Sequence, residues 1–60
     1  MQSRYLLKKL EDDGWYIHKT RGSHHQLKHP VKEGKVTLPH PKKDLPIETV
    51  DSILKQAGLK

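Results

Sequence analysis

Three of the five histidines of this 60-residue chain fall in one short stretch: His24, His25 and His29 follow a Gly22-Ser23 pair. Lys19 and Arg21 precede the pair and Lys28 follows it. Imidazole titrates near neutral pH, so a histidine here can take or give a proton. Cations flank it on both sides. They also attract phosphate, and a phosphorane-like transition state gathers more charge than its ground state, so Lys and Arg stabilise it preferentially. RNA carries an internal nucleophile, its 2′-hydroxyl. Cleavage then needs a proton acceptor, a proton donor and charge stabilisation, but no metal. The residue types fit that minimal set, with His24 as general acid or base and Lys19, Arg21 and Lys28 holding phosphate. A plain surface histidine is the competing reading of His24.

A metal site is the other chemistry that clustered histidines suggest. No cysteine or carboxylate accompanies them, and no helical His-x-x-x-His pair exists. On a strand, His25 and His29 share a face but lie about 13 Å apart. Zinc needs ligand nitrogens at about 2 Å, so the expectation is no metal and no other cofactor.

The scaffold that must position these residues is small. The length implies a single domain spanning residues 1–60. A chain this short has little core, and with no cysteine it has no disulfide to assist it. Cysteine absence fits a reducing compartment. No apolar run is long enough to span a membrane, and Lys8 and Lys9 interrupt the N-terminal Tyr5-Leu6-Leu7 stretch, so no signal peptide is expected. The expectation is a cytoplasmic protein without membrane contact. The net charge is +5 with histidines neutral, and no Asp or Glu lies between Gly14 and Lys32. The basic field therefore concentrates on the histidine stretch, as a polyanion site requires.

Periodicity places the elements. Leu6, Leu7 and Leu10 share a narrow helical arc, which predicts a helix over residues 3–13, capped by Ser3 and stopped by Gly14. Glu11, Asp12 and Asp13 crowd its C-terminus, against the preference of the helix dipole. Residues 15–19 are aromatic and β-branched and read as a strand, with Trp15 and Ile17 on one face. Residues 20–23 form a hairpin turn in which Gly22 takes positive φ and Ser23 completes the presentation of the next strand. Residues 24–29 are that strand, ended by Pro30. Leu27 is its one strong apolar residue and fixes its parity. Leu27, His25 and His29 face the core, and His24, Gln26 and Lys28 face away. His25 and His29 are thus expected to be structural. Residues 35–39 form a third strand with Val36 and Leu38 inward, and residues 40–45 are a proline-bounded connection. Ile47, Val50, Ile53, Leu54 and Ala57 define the core face of a closing helix that Pro46 begins and Gly58 ends. The fold class is α+β in the order αβββα: a three-stranded antiparallel sheet with two helices on one face.

Three functional readings remain from the residues. The first is metal-independent RNA cleavage at His24. The second is a non-catalytic RNA-binding module that recognises phosphates and shape. Such a module usually carries lysines at the start of its last helix, where this chain has Asp44-Leu45-Pro46-Ile47-Glu48, with Lys42 and Lys43 just before. The third is a protein-interaction domain with a charge-complementary partner.

Gly14-Trp15, Lys19-x-Arg21-Gly22-Ser23-His24-His25 and His29-Pro30, together with the C-terminal run from Ile53 to Leu59, resemble the HicA (YcfA-like) toxin family. The match extends over nearly the whole chain. The resemblance implies a fold like the double-stranded-RNA-binding domain. It also implies endoribonuclease action on mRNA as an mRNA interferase, and neutralisation by a HicB-type antitoxin. The family's functional histidine, the one after Gly-Ser, corresponds to His24. Two positions depart from the pattern: the family often carries an aromatic residue where Leu27 stands, and His18 replaces an ordinary strand residue.

Overall fold

The computed structural model describes residues 1–60. Its elements are α1 (Ser3–Asp12), β1 (Tyr16–Arg21), β2 (His24–Lys28), β3 (Val36–Pro39) and α2 (Ile47–Gln56), so the αβββα order holds. The sheet is antiparallel with order β1-β2-β3. Ten residues form one buried cluster: Leu6 and Leu10 from α1, Trp15, Leu27 from β2, Val36 and Leu38 from β3, Leu45, and Val50, Ile53 and Ala57 at α2. No helix is long and apolar enough to cross a membrane.

Both helices pack over β3. β1 is left as an uncovered edge, and every one of its residues is exposed. Ile17 faces the core layer, yet it remains 41% exposed because no helix reaches over it. One expected core residue is corrected: Ile47 lies on the predicted arc of α2 but is 74% exposed. At that end of the molecule Leu45 is buried instead, and its backbone exchanges hydrogen bonds with Met1 at 2.8 and 3.4 Å.

Ser3 does not cap α1. Gln2 holds the N-cap position without a side-chain bond. Ser3 is buried, and its hydroxyl accepts the Lys42 N–H at 2.8 Å and shares a 2.7 Å hydrogen bond with His40 Nδ1. The Ser3 N–H donates to the Lys42 carbonyl at 2.8 Å. The start of α1 is therefore laced to the loop after β3, and the hydroxyl satisfies that loop rather than its own helix.

The acids at the end of α1 have a partial explanation in the fold. Lys32 Nζ reaches the Asp13 carboxylate at 2.6 Å and the Ala57 carbonyl at 2.9 Å, tying both helix ends to the loop after β2. The Lys32 hydrogen bond, and then the Lys32 charge, hold the Asp13 carboxyl below its usual range against the opposing effect of desolvation.

Candidate functional site

The hairpin turn is two residues long, since Arg21 faces His24 across it. Gly22 has φ +55° and no non-glycine residue has positive φ, so Ser23 takes an ordinary conformation. Positive φ at the first central position alone is the type II′ pattern, whose twist matches the flanking strands. The Ser23 carbonyl accepts the His40 N–H at 2.7 Å, which fastens the turn to the end of β3.

Register then decides which side chains meet, because directly paired residues share a face. Three cross-strand rows lie on the face away from the helices. Tyr16 pairs with Lys28, Lys19 with Gln26 and Thr37, and Arg21 with His24 and Pro39. The core-side rows are Ile17-Leu27-Val36 and Thr20-His25-Leu38. The parity read from Leu27 is therefore the observed one along β2.

Simple alternation would not have produced this arrangement on β1. Ile17 faces Leu27 and Lys19 faces Gln26, so His18 is an extra residue with no partner. This bulge shifts parity by one. Without it Lys19 and Arg21 would share the face of Ile17. With it they stand on the open face beside His24. The bulge is the feature missed in the sequence. The signal available was the conflict between an inward Ile17 and outward cations at odd positions after it.

The three cations are not equivalent. Arg21 is opposite His24, at a Cβ separation of about 5 Å for such a pair. Lys19 lies one row away. Lys28 is four residues along β2, with its backbone about 13 Å distant, two rows from His24. None of the three is in an ion pair within the chain. His24 is exposed, and its ring makes no hydrogen bond within the chain. Its nitrogens are free for a ligand.

His29, His25 and His40 are engaged. Val31 and Lys32 N–H groups both donate to His29 Nδ1 at 3.0 Å. That nitrogen is therefore unprotonated, and Nε2 carries the proton and donates to the Asp13 carbonyl at 2.7 Å. His29 also meets Trp15 edge-on, with ring centroids 5.3 Å apart. His25 Nδ1 lies 3.1 Å from Thr20 Oγ1, and its ring is 5.1 Å from that of His40. His25 and His24 project from opposite faces and do not converge on one atom. No group of three or more His, Cys, Asp or Glu residues is arranged to hold a metal ion.

The chain matches the family model described as the HicA toxin of bacterial toxin-antitoxin over residues 3–59. A solved structure of a HicA3 and HicB3 toxin-antitoxin complex contains a similar chain. The two are 38% identical, with a TM-score of 0.88, over 100% of this chain and 97% of that one. No curated protein is similar enough to count as a match.

Proposed function

The chain belongs to the HicA toxin family of bacterial toxin–antitoxin systems, and from that premise we propose that it is a metal-independent endoribonuclease that cleaves mRNA with His24 as general acid or base. The observation that carries the reading is the row Arg21-His24 on the open face, with Lys19 in the adjacent row and no carboxylate paired to either cation. In the step proposed, the 2′-hydroxyl oxygen attacks the adjacent phosphorus and its proton is removed. The bond to the 5′-oxygen breaks, and that oxygen leaves with a proton. The products are a 2′,3′-cyclic phosphate and a 5′-hydroxyl. His24 performs one of the two proton transfers. Arg21 and Lys19 meet the charge that builds on the non-bridging oxygens. Lys28 holds a neighbouring phosphate of the same strand.

A HicB-type antitoxin is the proposed partner. By covering the open face it would bury His24 and neutralise the basic field together. It would also raise thermal stability by mass action. A partner seated away from the hairpin would contradict this part of the reading.

The test is cleavage of purified RNA in EDTA by wild type and His24→Ala, beside growth of cells in which each is induced. The variant should stay folded, since His24 bonds nothing within the chain, and should lose about 10²–10⁴-fold in cleavage. Equal cleavage and growth arrest by the two proteins would remove His24 from the mechanism. The non-catalytic binding module remains the second reading, because no second histidine and no carboxylate is paired with His24 across the sheet. Intact RNA with salt-sensitive binding would favour it.

A further inference from the structure

Beyond the hairpin the chain carries a second concentration of unpaired positive charge. A cleft of about 310 Å³ opens where the start of α1 meets the loop after β3, lined by Gln2, Ser3, Arg4, His40, Pro41, Lys42 and Lys43, mostly through the carbon surface of these residues. Arg4, Lys42 and Lys43 take part in no ion pair. Arg4 contacts only neutral groups: it donates to the Tyr5 hydroxyl at 3.2 Å and lies 4.9 Å from the Tyr5 ring centre. The nearest acid in sequence, Asp44, points its charge at the N-terminal amine, 3.6 Å away. The cleft walls are set rigidly, because Ser3 bonds both His40 and Lys42 across it. Three exposed cations stand around this concave site without a counter-charge, and an anion seated there would be attracted by all three.

We propose that this cleft is a second phosphate-holding subsite for the RNA strand whose cleavage is assigned above to His24; the inference rests on that reading. Continuity with the open face favours RNA. His40, on the wall of the cleft, donates its N–H to Ser23 of the turn that presents His24. Pro39, one residue before it, is the cross-strand partner of His24. A strand lying over the end of the sheet therefore passes from His24 into the cleft.

The experiment uses the full chain carrying His24→Ala, so that RNA survives, and measures binding of a labelled mixed-sequence single-stranded RNA across a salt series. In that background Arg4→Gln, Lys42→Gln and Lys43→Gln are combined. The slope of log K against log salt should shrink by about 0.7 for each phosphate no longer neutralised, so by about 0.7–2 in all. An oligonucleotide too short to span hairpin and cleft should lose little. Thermal melting checks folding, and Lys42→Arg with Lys43→Arg should restore the slope. An unchanged slope, with RNA still bound, overturns the subsite and leaves the RNase reading intact. A reduced slope in a protein whose His24-bearing form does not cleave upholds the subsite and removes the enzyme. Equal losses for short and long RNA would mean a site for a free small anion, and weakened antitoxin binding with an unchanged RNA slope would mean a protein site; either overturns the proposal.

Discussion

Gly14 and His29 meet at the end of the hairpin farthest from Gly22-Ser23, and their close approach sets a measurable cost. Gly14 has φ +106°, and a Cβ placed there would lie 2.7 Å from His29 Nε2. Gly14→Ala therefore combines two penalties. The backbone strain is about 1–3 kcal/mol. The imidazole must also move, and it holds three hydrogen bonds, to the Asp13 carbonyl and from the Val31 and Lys32 N–H groups. Losing part of that set adds about 1 kcal/mol or more. A net loss of about 2–4 kcal/mol is large for a chain of this size, whose total stability is on the order of 3–9 kcal/mol. An unfolding entropy of about 0.13 kcal/mol/K for 60 residues converts it to a Tm drop of about 15–30 °C.

Circular dichroism melting of Gly14→Ala, His29→Ala and the double variant tests the cause as well as the size. If the two residues act on one another directly, the His29 bonds are broken only once, and the double variant should be less destabilised than the sum by about 1 kcal/mol or more. Strict additivity would refute that close approach as the source. RNA cleavage by the folded fraction should stay at the wild-type rate, because His24 lies at the other end of β2. The pair of histidines thus separates: His29→Ala should lower Tm and spare cleavage, whereas His24→Ala should do the reverse.

Ser3→Ala removes a buried hydroxyl and leaves the Lys42 N–H without its acceptor, so stability should fall by about 1–3 kcal/mol; a melting curve like that of wild type would contradict the lacing of α1 to the loop. Asp13 has its folded-state pKa below its ordinary value of 3.8, so the folded chain binds fewer protons than the unfolded one in acid. Its contribution is complete above about pH 4 and fades as pH falls through the lowered folded value. Asp13→Asn should thus be less stable than wild type at neutral pH, with the gap in Tm closing in acid; a gap constant with pH would count against the Lys32 ion pair. Deleting His18 should give a regular hairpin in which Lys19 still faces Gln26 and Arg21 still faces His24, read from cross-strand nuclear Overhauser effects; loss of those pairs would show that the bulge does more than correct parity.

The fold was largely legible because its elements carry strong local patterns. One leucine in a polar strand settled the parity of β2, and the apolar arc of α2 named Val50, Ile53 and Ala57 correctly. The misreadings share a cause, which is that tertiary partners outcompeted local signals. Ser3 precedes an apolar run as a capping residue does, yet its hydroxyl is drawn to His40 and Lys42. Leu45 is a lone apolar residue among Pro, Lys and Asp, so no periodicity marks it, although it is buried. The acids ending α1 looked unfavourable because Lys32, which meets Asp13, is 19 residues away. At the candidate site, residue types pointed to His24 and its cations, but their relative placement was not readable. Lys28 turned out to be two rows from His24, a distinction that only register makes.

The bulge at His18 connects these levels. Ile17 must face Leu27 to cover the core, and strict alternation would then turn Lys19 and Arg21 to the helix side of the sheet, away from His24. Because no helix covers β1 the two cations would stay in water there, but they would no longer share a face with His24. One extra residue resolves the conflict. It is also placed where it costs least, because β1 is the uncovered edge strand and the backbone groups it leaves unpaired stay in water. The same insertion in β2 would break ladders on both sides. The proposed division of labour follows from that asymmetry. The residue that exchanges protons belongs on the central strand, held in register by both neighbours. The cations that meet the phosphate belong on the edge strand, whose register is free to shift by one residue to bring them round.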